Sequence, residues 1–149
     1  MSKYIISSEA MKLISLFESL TNAKVKDCIV IDFLEKSNPK NDNFDVIFII
    51  EESQAGKAIG KHGINVMHIE RMIKKRIKII EFNEDISKFI KNVLYPLVIR
   101  EVKVNNKTLH LFADKSKLGI LIGREGRNLE YLKSLAKRYF DIETIKVSS

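Results

Sequence analysis

The sequence repeats itself at an offset of 63 residues, which is the separation between Ser53 and Ser116. Identity at many special positions at a single offset indicates a duplicated unit. The chain of 149 residues is therefore expected to form two similar halves with two small cores. The positions that carry the same residue in both copies pair Ser53, Gly56, Ile59, Gly60, Gly63 and Asn65 with Ser116, Gly119, Ile122, Gly123, Gly126 and Asn128.

The spacing of apolar residues predicts the same order of elements in both halves: helix, strand, strand, helix, helix, strand. In the first half we expect a helix capped by Ser7 or Ser8, strands over 25–34 and 44–50 around a polar turn at 36–43, a short helix over 53–60, a longer helix with Val66, Ile69, Met72 and Ile73 on its buried side, and a strand over 76–82.

In the second half we expect a helix capped by Asp85 and ended by Pro96, strands over 97–104 and 108–113 joined by a turn at Asn105-Asn106, a short helix over 116–123, a helix marked by Leu129, Leu132, Leu135 and Ala136, and a strand over 142–147. Both halves therefore mix helices and strands, which predicts an α+β fold.

Each copy carries the motif Ile-Gly-x-x-Gly-x-Asn between its two central helices. Glycine reaches positive φ at low cost and lets another backbone come close, so the motif predicts a tight turn. The second helix then begins at the turn, where unpaired N–H groups and the positive end of the helix dipole suit a phosphate. Lys61 and His62 in the first turn, and Arg124 with nearby Arg127 in the second, add side chains that can reach a nucleic-acid backbone.

Parts of this motif have more than one interpretation. A single Gly-x-x-Gly is common and usually only ends a helix, but two at matching positions favour nucleic-acid binding by at least one copy. Asn65 and Asn128 are placed either to bind a phosphate or to brace the turn. Glu125 puts a carboxylate beside the expected phosphate path, where Arg124 and Arg127 would have to offset it.

The two turns and their setting resemble the KH domain, in which a Gly-x-x-Gly loop clamps a nucleic-acid backbone. The order α-β-β-α-α-β is similar to the type II, prokaryotic form of that domain. Two adjacent type II copies, covering about residues 7–147, resemble the archaeal NusA-like transcription factors. The resemblance implies tandem type II KH domains at residues 1–84 and 85–149, each with a three-stranded sheet covered by helices.

The resemblance also implies a narrow groove for about four nucleotides in each domain, with bases against apolar residues of the short helix and the adjacent strand, such as Ile59 and Ile122. The expected ligand is single-stranded RNA, and single-stranded DNA would compete for it. The residues to which the resemblance assigns RNA binding are Ile59, Gly60, Lys61, His62, Gly63 and Asn65 in the first domain, and Ile122, Gly123, Arg124, Glu125, Gly126, Arg127 and Asn128 in the second.

The charge of the chain is placed unevenly. The net charge is +7 with an isoelectric point near 9.4, which favours a polyanionic partner. Residues 1–84 carry 13 Lys and Arg against 12 Asp and Glu, a net of +1, whereas residues 85–149 carry 13 against 7, a net of +6. A further basic cluster is either a solvated helix end or an extension of the RNA path, and it consists of Arg71, Lys74, Lys75, Arg76 and Lys78.

Several classes of function are not expected. The apolar runs are too short for a membrane-spanning helix. The single cysteine, Cys28, excludes an internal disulfide and a cysteine-built zinc site and fits a cytoplasmic protein. His62, His68 and His110 lack metal or catalytic spacing, and the aromatic residues recur at core spacing rather than as a base-stacking platform. We therefore expect no enzyme activity, cofactor, metal, small-molecule substrate or membrane partner.

The expected function is that of a transcription elongation, termination or antitermination factor that binds single-stranded RNA and acts with RNA polymerase. KH domains also occur in ribosomal proteins and RNA-processing factors, so a ribosome-associated or RNA-processing adaptor is an alternative. A protein-interaction scaffold with degenerate KH loops is another. The transcriptional role rests on the resemblance, because fold alone does not imply function.

Overall fold

The computed structural model describes residues 6–31 and 44–149. The chain divides into two compact units, one ending at Asn83 and the other beginning at Glu84. Each unit contains one three-stranded sheet and has the order α-β-β-α-α-β, so the predicted α+β fold and element order are confirmed. The polar turn predicted at 36–43 and the end of the preceding strand, residues 32–34, lie outside the described residues.

The elements of the two units correspond one to one. No helix in the described residues is long and apolar enough to cross a bilayer. The first unit contains α1 Ser8–Thr21, β1 Val25–Val30, β2 Val46–Ile50, α2 Ala55–Ile59, α3 Ile64–Ile73 and β3 Ile77–Glu81. The second contains α4 Ile86–Leu94, β4 Glu101–Asn105, β5 Thr108–Phe112, α5 Leu118–Ile122, α6 Arg127–Tyr139 and β6 Thr144–Ser148.

The first helix of each unit begins at a side-chain cap. Ser7 Oγ accepts a hydrogen bond from the Ala10 N–H at 3.1 Å, and Asp85 Oδ1 accepts one from the Ser87 N–H at 3.0 Å. Such caps satisfy backbone donors that have no partner within the helix. The prediction for Asp85 is confirmed, and of the two serines proposed for α1 it is Ser7 that caps the helix.

The sheets place each glycine turn in the crossover between two parallel strands. In the first unit the central strand β2 pairs antiparallel with β1 and parallel with β3, and in the second β5 pairs antiparallel with β4 and parallel with β6. Parallel neighbours need a crossover connection. The helix pairs α2–α3 and α5–α6 supply it, and the two glycine motifs lie between their helices.

Each unit has its own apolar core. In the first, the rings of Phe17 on α1 and Phe48 on β2 are 4.3 Å apart between centroids, and Cys28 is buried in the same core. In the second, Phe89 on α4 meets the edge of Tyr139 on α6 at 5.5 Å between centroids. Aromatic pairs of this kind combine a large buried area with a preferred ring geometry, so they orient the first helix of each unit.

The strand predicted over 97–104 is wrong at its N-terminal end. The Leu97 N–H donates to the Leu94 carbonyl at 2.8 Å, so the chain continues to turn after α4. The first bond to the neighbouring strand is that of the Arg100 N–H to the Phe112 carbonyl, and β4 begins at Glu101. The last predicted strand also starts later, at Thr144.

The position of one turn and the exposure of one side chain also differ from the predictions. The turn after β4 is at Asn106 and Lys107 rather than Asn105-Asn106, because Asn105 pairs with Thr108 and Asn106 takes the left-handed φ of +56°. Asparagine tolerates this conformation better than most residues. Met72, expected on the buried side of α3, is 50% exposed, since the packed side of this helix runs through Val66, Ile69 and Ile73 instead.

Candidate nucleic-acid interface

Each glycine motif forms a sharp turn from a short helix into a longer one. In the first unit α2 ends at Ile59, residues Lys61–Gly63 form a single 3₁₀ turn, and α3 begins at Ile64. In the second unit α5 ends at Ile122, Arg124–Gly126 form the 3₁₀ turn, and α6 begins at Arg127. The structure therefore brings the residues of each predicted clamp together within one turn.

The two turns have nearly the same backbone conformation. His62 and Glu125 have φ, ψ angles of 57°, 25° and 56°, 25°. The glycines that follow them, Gly63 and Gly126, have angles of 72°, 21° and 74°, 15°. The central side chains differ completely in charge, so the conformation is set by the glycines and by the packing around them.

The first glycine of each motif has no room for a side chain. Gly60 has φ of +76°, and an added Cβ would lie 2.8 Å from Asn65 Nδ2. Gly123 has the same φ, and its Cβ would lie 2.7 Å from Asn128 Cγ. Side-chain-bearing residues avoid this combination of positive φ with ψ near 170°. The motif thus needs glycine here for two independent reasons, conformation and close approach.

The asparagines brace the turns. Asn65 Nδ2 donates to the Lys57 carbonyl at 3.0 Å, and Asn128 Nδ2 donates to the Ile120 carbonyl at 2.8 Å. Each bond joins the first turn of the long helix to a carbonyl of the short helix, where the end of the helix leaves carbonyls without intrahelical partners. Of the two roles considered for Asn65 and Asn128, the geometry supports the brace.

The backbone donors of the turns are partly used within them. The Gly63 N–H donates to the Gly60 carbonyl at 3.1 Å, and the Ile64 N–H donates to the Lys61 carbonyl. Gly126 and Arg127 repeat this pattern. The expectation that the first N–H groups of the second helix are unpaired is therefore wrong for these residues, because the 3₁₀ turn leads directly into the helix.

The side chains at the centre of each turn face solvent. Lys61, His62, Arg124 and Glu125 are all exposed. Arg127 Nη2 lies 3.6 Å from Glu125 Oε2, so this arginine offsets the carboxylate as expected. The exposed basic side chain at the centre of the second turn is therefore Arg124, whereas Lys61 and His62 are exposed at the centre of the first.

Apolar side chains surround the first turn more extensively than predicted. Ile59 and Ile122, the predicted base contacts, are 39% and 38% exposed at the ends of their short helices. Ile64 and Met67 are also exposed, at 61% and 58%, on the first two turns of α3. Neither residue was predicted as a contact, although both lie outside the apolar spacing that marks the buried side of α3 in the sequence. The aligned positions in the second unit hold Arg127 and Glu130, so the two turns differ in chemistry.

The basic cluster of the first unit is interleaved with carboxylates. Asp45 Oδ2 accepts a hydrogen bond from the Arg76 N–H at 2.7 Å, and Glu70 Oε2 accepts one from the Ile77 N–H at 2.9 Å. Burial lowers the pKa of Lys78. An open depression at this end of α3 is lined by Asp45, Glu70, Lys74, Lys75 and Arg76. Mixed charge favours the interpretation of this cluster as a solvated helix end.

We expect Asn128→Ala to lower the free energy of unfolding by about 1 kcal/mol, because the Ile120 carbonyl loses its donor. Asn128→Asp should be at least as unfavourable, since a carboxylate cannot donate to a carbonyl. Ser134→Ala, at an exposed position of the same helix, is the matched control and should change little. Urea unfolding followed by circular dichroism measures all three, and equal stability of the Asn128 and Ser134 variants would disprove the brace.

Comparison with known proteins places this chain among archaeal relatives. No model of a protein family matches the sequence. The chain is 31% identical over 146 residues to a probable transcription termination protein NusA of Halococcus morrhuae, covering 96% of this chain and 97% of the relative. It is 32% identical over 151 residues to a protein of the same name from Methanocaldococcus jannaschii, and the match covers 99% of this chain and 76% of the relative.

A solved structure shares the fold. The crystal structure of APE1850 superimposes on this chain with a TM-score of 0.72 and 24% sequence identity, covering 96% of this chain and 100% of the other. At this identity the likeness concerns the fold alone. It covers residues of both units, so the order of elements described above occurs in another protein.

Proposed function

Because the chain belongs to the family of archaeal NusA proteins, we propose that it binds single-stranded RNA and acts with RNA polymerase in transcription termination or antitermination. The two units correspond to type II KH domains that we assign to residues 1–84 and 85–149, within one residue of the boundary between the compact units. The α-β-β-α-α-β order and the central strand, antiparallel to one neighbour and parallel to the other, support this assignment.

The observation that carries the proposal is the pair of glycine turns with one conformation and exposed centres. A turn held by a close glycine–asparagine contact and a side-chain brace has its shape before RNA arrives, so little ordering entropy opposes binding. The phosphate backbone lies along Gly60–Gly63 in the first domain and along Gly123–Gly126 in the second.

The two domains make different contributions to RNA binding, because different side chains surround their turns. In the first, Lys61 and His62 contact the backbone while bases lie against the exposed Ile59 and Ile64. In the second, Arg124 contacts the phosphates, Arg127 offsets the Glu125 carboxylate beside them, and Ile122 is the apolar contact. The turn of the first domain therefore supplies more base contact, and the second domain, with its larger net charge, supplies more of the salt-dependent affinity.

A variant with Asp at all four central positions, Lys61, His62, Arg124 and Glu125, tests this function. We expect it to bind single-stranded RNA about tenfold or more weakly than the wild type, because carboxylates replace Lys61, His62 and Arg124 beside the phosphates. The fold should persist, since aspartate tolerates the left-handed φ of positions 62 and 125. Fluorescence anisotropy measures the affinity and circular dichroism the fold.

The control variant combines Lys12→Glu and Lys88→Glu on exposed positions of α1 and α4, which lowers the net charge by a similar amount away from the turns. Unchanged affinity in the folded four-site variant, or an equal loss in the control, would refute binding at the turns. Co-purification with RNA polymerase after nuclease treatment tests the transcriptional role, and association with ribosomal particles instead would contradict it.

A further inference from the structure

The sheet of the second unit has a solvent-facing side that neither glycine turn uses. Leu109 and Leu111 on the central strand β5 are fully buried. Side chains alternate along a strand, so His110 and Phe112 project from the opposite face. On the flanking strands of that face, Lys103 and Lys146 are exposed.

Two aromatic rings are stacked at the centre of this face. The His110 and Phe112 rings are 4.1 Å apart between centroids and 26° from parallel. His110 Nε2 lies 2.8 Å from Ser148 Oγ on the neighbouring strand, and this hydrogen bond fixes the orientation of the imidazole. Both rings are half-buried. The result is a fixed aromatic surface on the central strand of an open sheet.

Lysines flank the rings on both sides. Lys103 on β4 and Lys146 on β6 are the cross-strand partners of His110, so a Lys–His–Lys row crosses the sheet. Lys103 Nζ also lies 5.4 Å from the Phe112 ring centroid and 3.7 Å from Glu101 Oε1. That exposed ion pair is weak, so the ammonium is available to a phosphate.

The equivalent positions of the first unit have a different character. His110 and Phe112 lie 63 residues after Ile47 and Ile49, which are 1% and 0% exposed. The same face of a duplicated sheet is thus buried and aliphatic in one copy, and open, aromatic and basic in the other. This divergence coincides with the net charge of +6 in the second half against +1 in the first.

We propose that this sheet face, defined by Lys103, His110, Phe112 and Lys146, is a second contact surface for single-stranded RNA, with bases stacking on the two rings and phosphates bound by the two lysines. The inference rests on the proposed RNA-binding function and adds a surface to it. Stacking on aromatic side chains beside cations is how sheet surfaces bind single strands without strong sequence preference.

The chemistry of the face favours RNA over a protein partner. Protein interfaces are anchored by large side chains at a core depleted of charge. In the described strands the remaining positions of this face are Glu101, Asn105, Thr108, Thr144 and Ser148, so no aliphatic anchor accompanies the rings. Lysines on both sides of stacked rings instead complement a chain of bases and phosphates.

The test combines Lys103→Gln with Lys146→Gln and compares this pair with Lys88→Gln plus Lys91→Gln, exposed lysines of α4 that lower the charge of the same unit equally. For RNA of about 12 nucleotides, we expect the sheet pair to weaken binding about tenfold and the α4 pair less than twofold. The slope of log affinity against log salt should fall by about 1.4 for two lost phosphate contacts.

A second measurement removes the ring rather than the charge. Phe112→Leu keeps an apolar side chain but no π-face, and it should weaken binding several-fold while the thermal melting profile stays intact. RNA carrying 5-iodouridine should crosslink on irradiation to the peptide containing His110 and Phe112, and this crosslink should persist in the four-site turn variant.

The outcomes separate this inference from the proposed function. If the turn variant loses affinity but the sheet and α4 lysine pairs behave alike, and no crosslink reaches β5, the sheet surface is refuted and the turns remain the site. If the sheet pair and Phe112→Leu weaken binding while the turn variant does not, the sheet inference stands and binding at the turns is refuted.

Discussion

Gly123→Ala should lower the free energy of unfolding by about 3 kcal/mol, and Gly60→Ala should have a similar effect. Each glycine holds φ of +76°, which strains any other residue. Each added Cβ would also come within 3 Å of the bracing asparagine. In the second unit that asparagine would have to move and release the Ile120 carbonyl, so the turn would lose its shape as well as its stability.

The chain contains a matched control for this prediction. Gly119, on α5, has no described atom within 4 Å of an added Cβ and has helical neighbours. Gly119→Ala should therefore stabilise the protein by about 0.5 kcal/mol or more, since alanine favours the helix. Gly126→Ala should fall between the two, because only its φ of +74° is unfavourable and space is available.

Urea unfolding followed by circular dichroism ranks the three variants. The expected order of stability is Gly119→Ala, then Gly126→Ala, then Gly123→Ala. If Gly123→Ala proved as stable as Gly119→Ala, the close contact with Asn128 would not be what fixes the turn. RNA affinity should follow the same order for the two turn positions, since the clamp depends on its shape.

The order of the elements was predictable because each depends on short stretches of sequence. Apolar spacing, the caps at Ser7 and Asp85, and the glycine turns are local signals, and the repeat presented most of them twice. The position of the turn between the helices followed for the same reason. The motif needs glycine at Gly60 and Gly123, where φ of +76° is combined with ψ near 170°.

The predictions were wrong where contacts between residues far apart in the sequence determine the structure. Met72 fits the helical spacing of α3 as well as Ile73 does, and only the packed core selects between them. The hairpin turn is displaced by one residue because the register of β4 on β5 places Asn105 opposite Thr108. Local sequence gives propensity but not the register between strands, which is set by the whole sheet.

The same distinction between local signals and distant contacts applies to the candidate site. The residues of both turns were predicted, but whether Asn128 binds a phosphate or braces the turn depends on where the Ile120 carbonyl lies. The stacked rings of His110 and Phe112 were not predicted, since the apposition requires an open sheet face that the spacing of aromatic residues does not reveal. Burial of one face and exposure of the other are tertiary properties.

Leu121→Ala should cost the second unit about 3 kcal/mol, because it leaves a cavity where a fully buried leucine was. Of the five described residues of α5, Leu121 alone is buried, so this side chain holds the short helix and the Gly123 turn against the core. A helix of five residues has no stability of its own.

Ile120→Ala provides the control on the same helix. Ile120 is 59% exposed, so its truncation should change the free energy of unfolding by about 0.5 kcal/mol or less. The position aligned with Leu121 in the first unit is Ala58, which is fully buried, so the two cores fill the same place with side chains of different size. Leu121→Ala therefore tests whether the second core can pack around alanine, the residue that fills this place in the first core. If Leu121→Ala lowered the free energy of unfolding only as much as Ile120→Ala does, the second core would be able to pack around alanine. A decrease near ~3 kcal/mol would show that the two cores pack differently although their turns share one geometry.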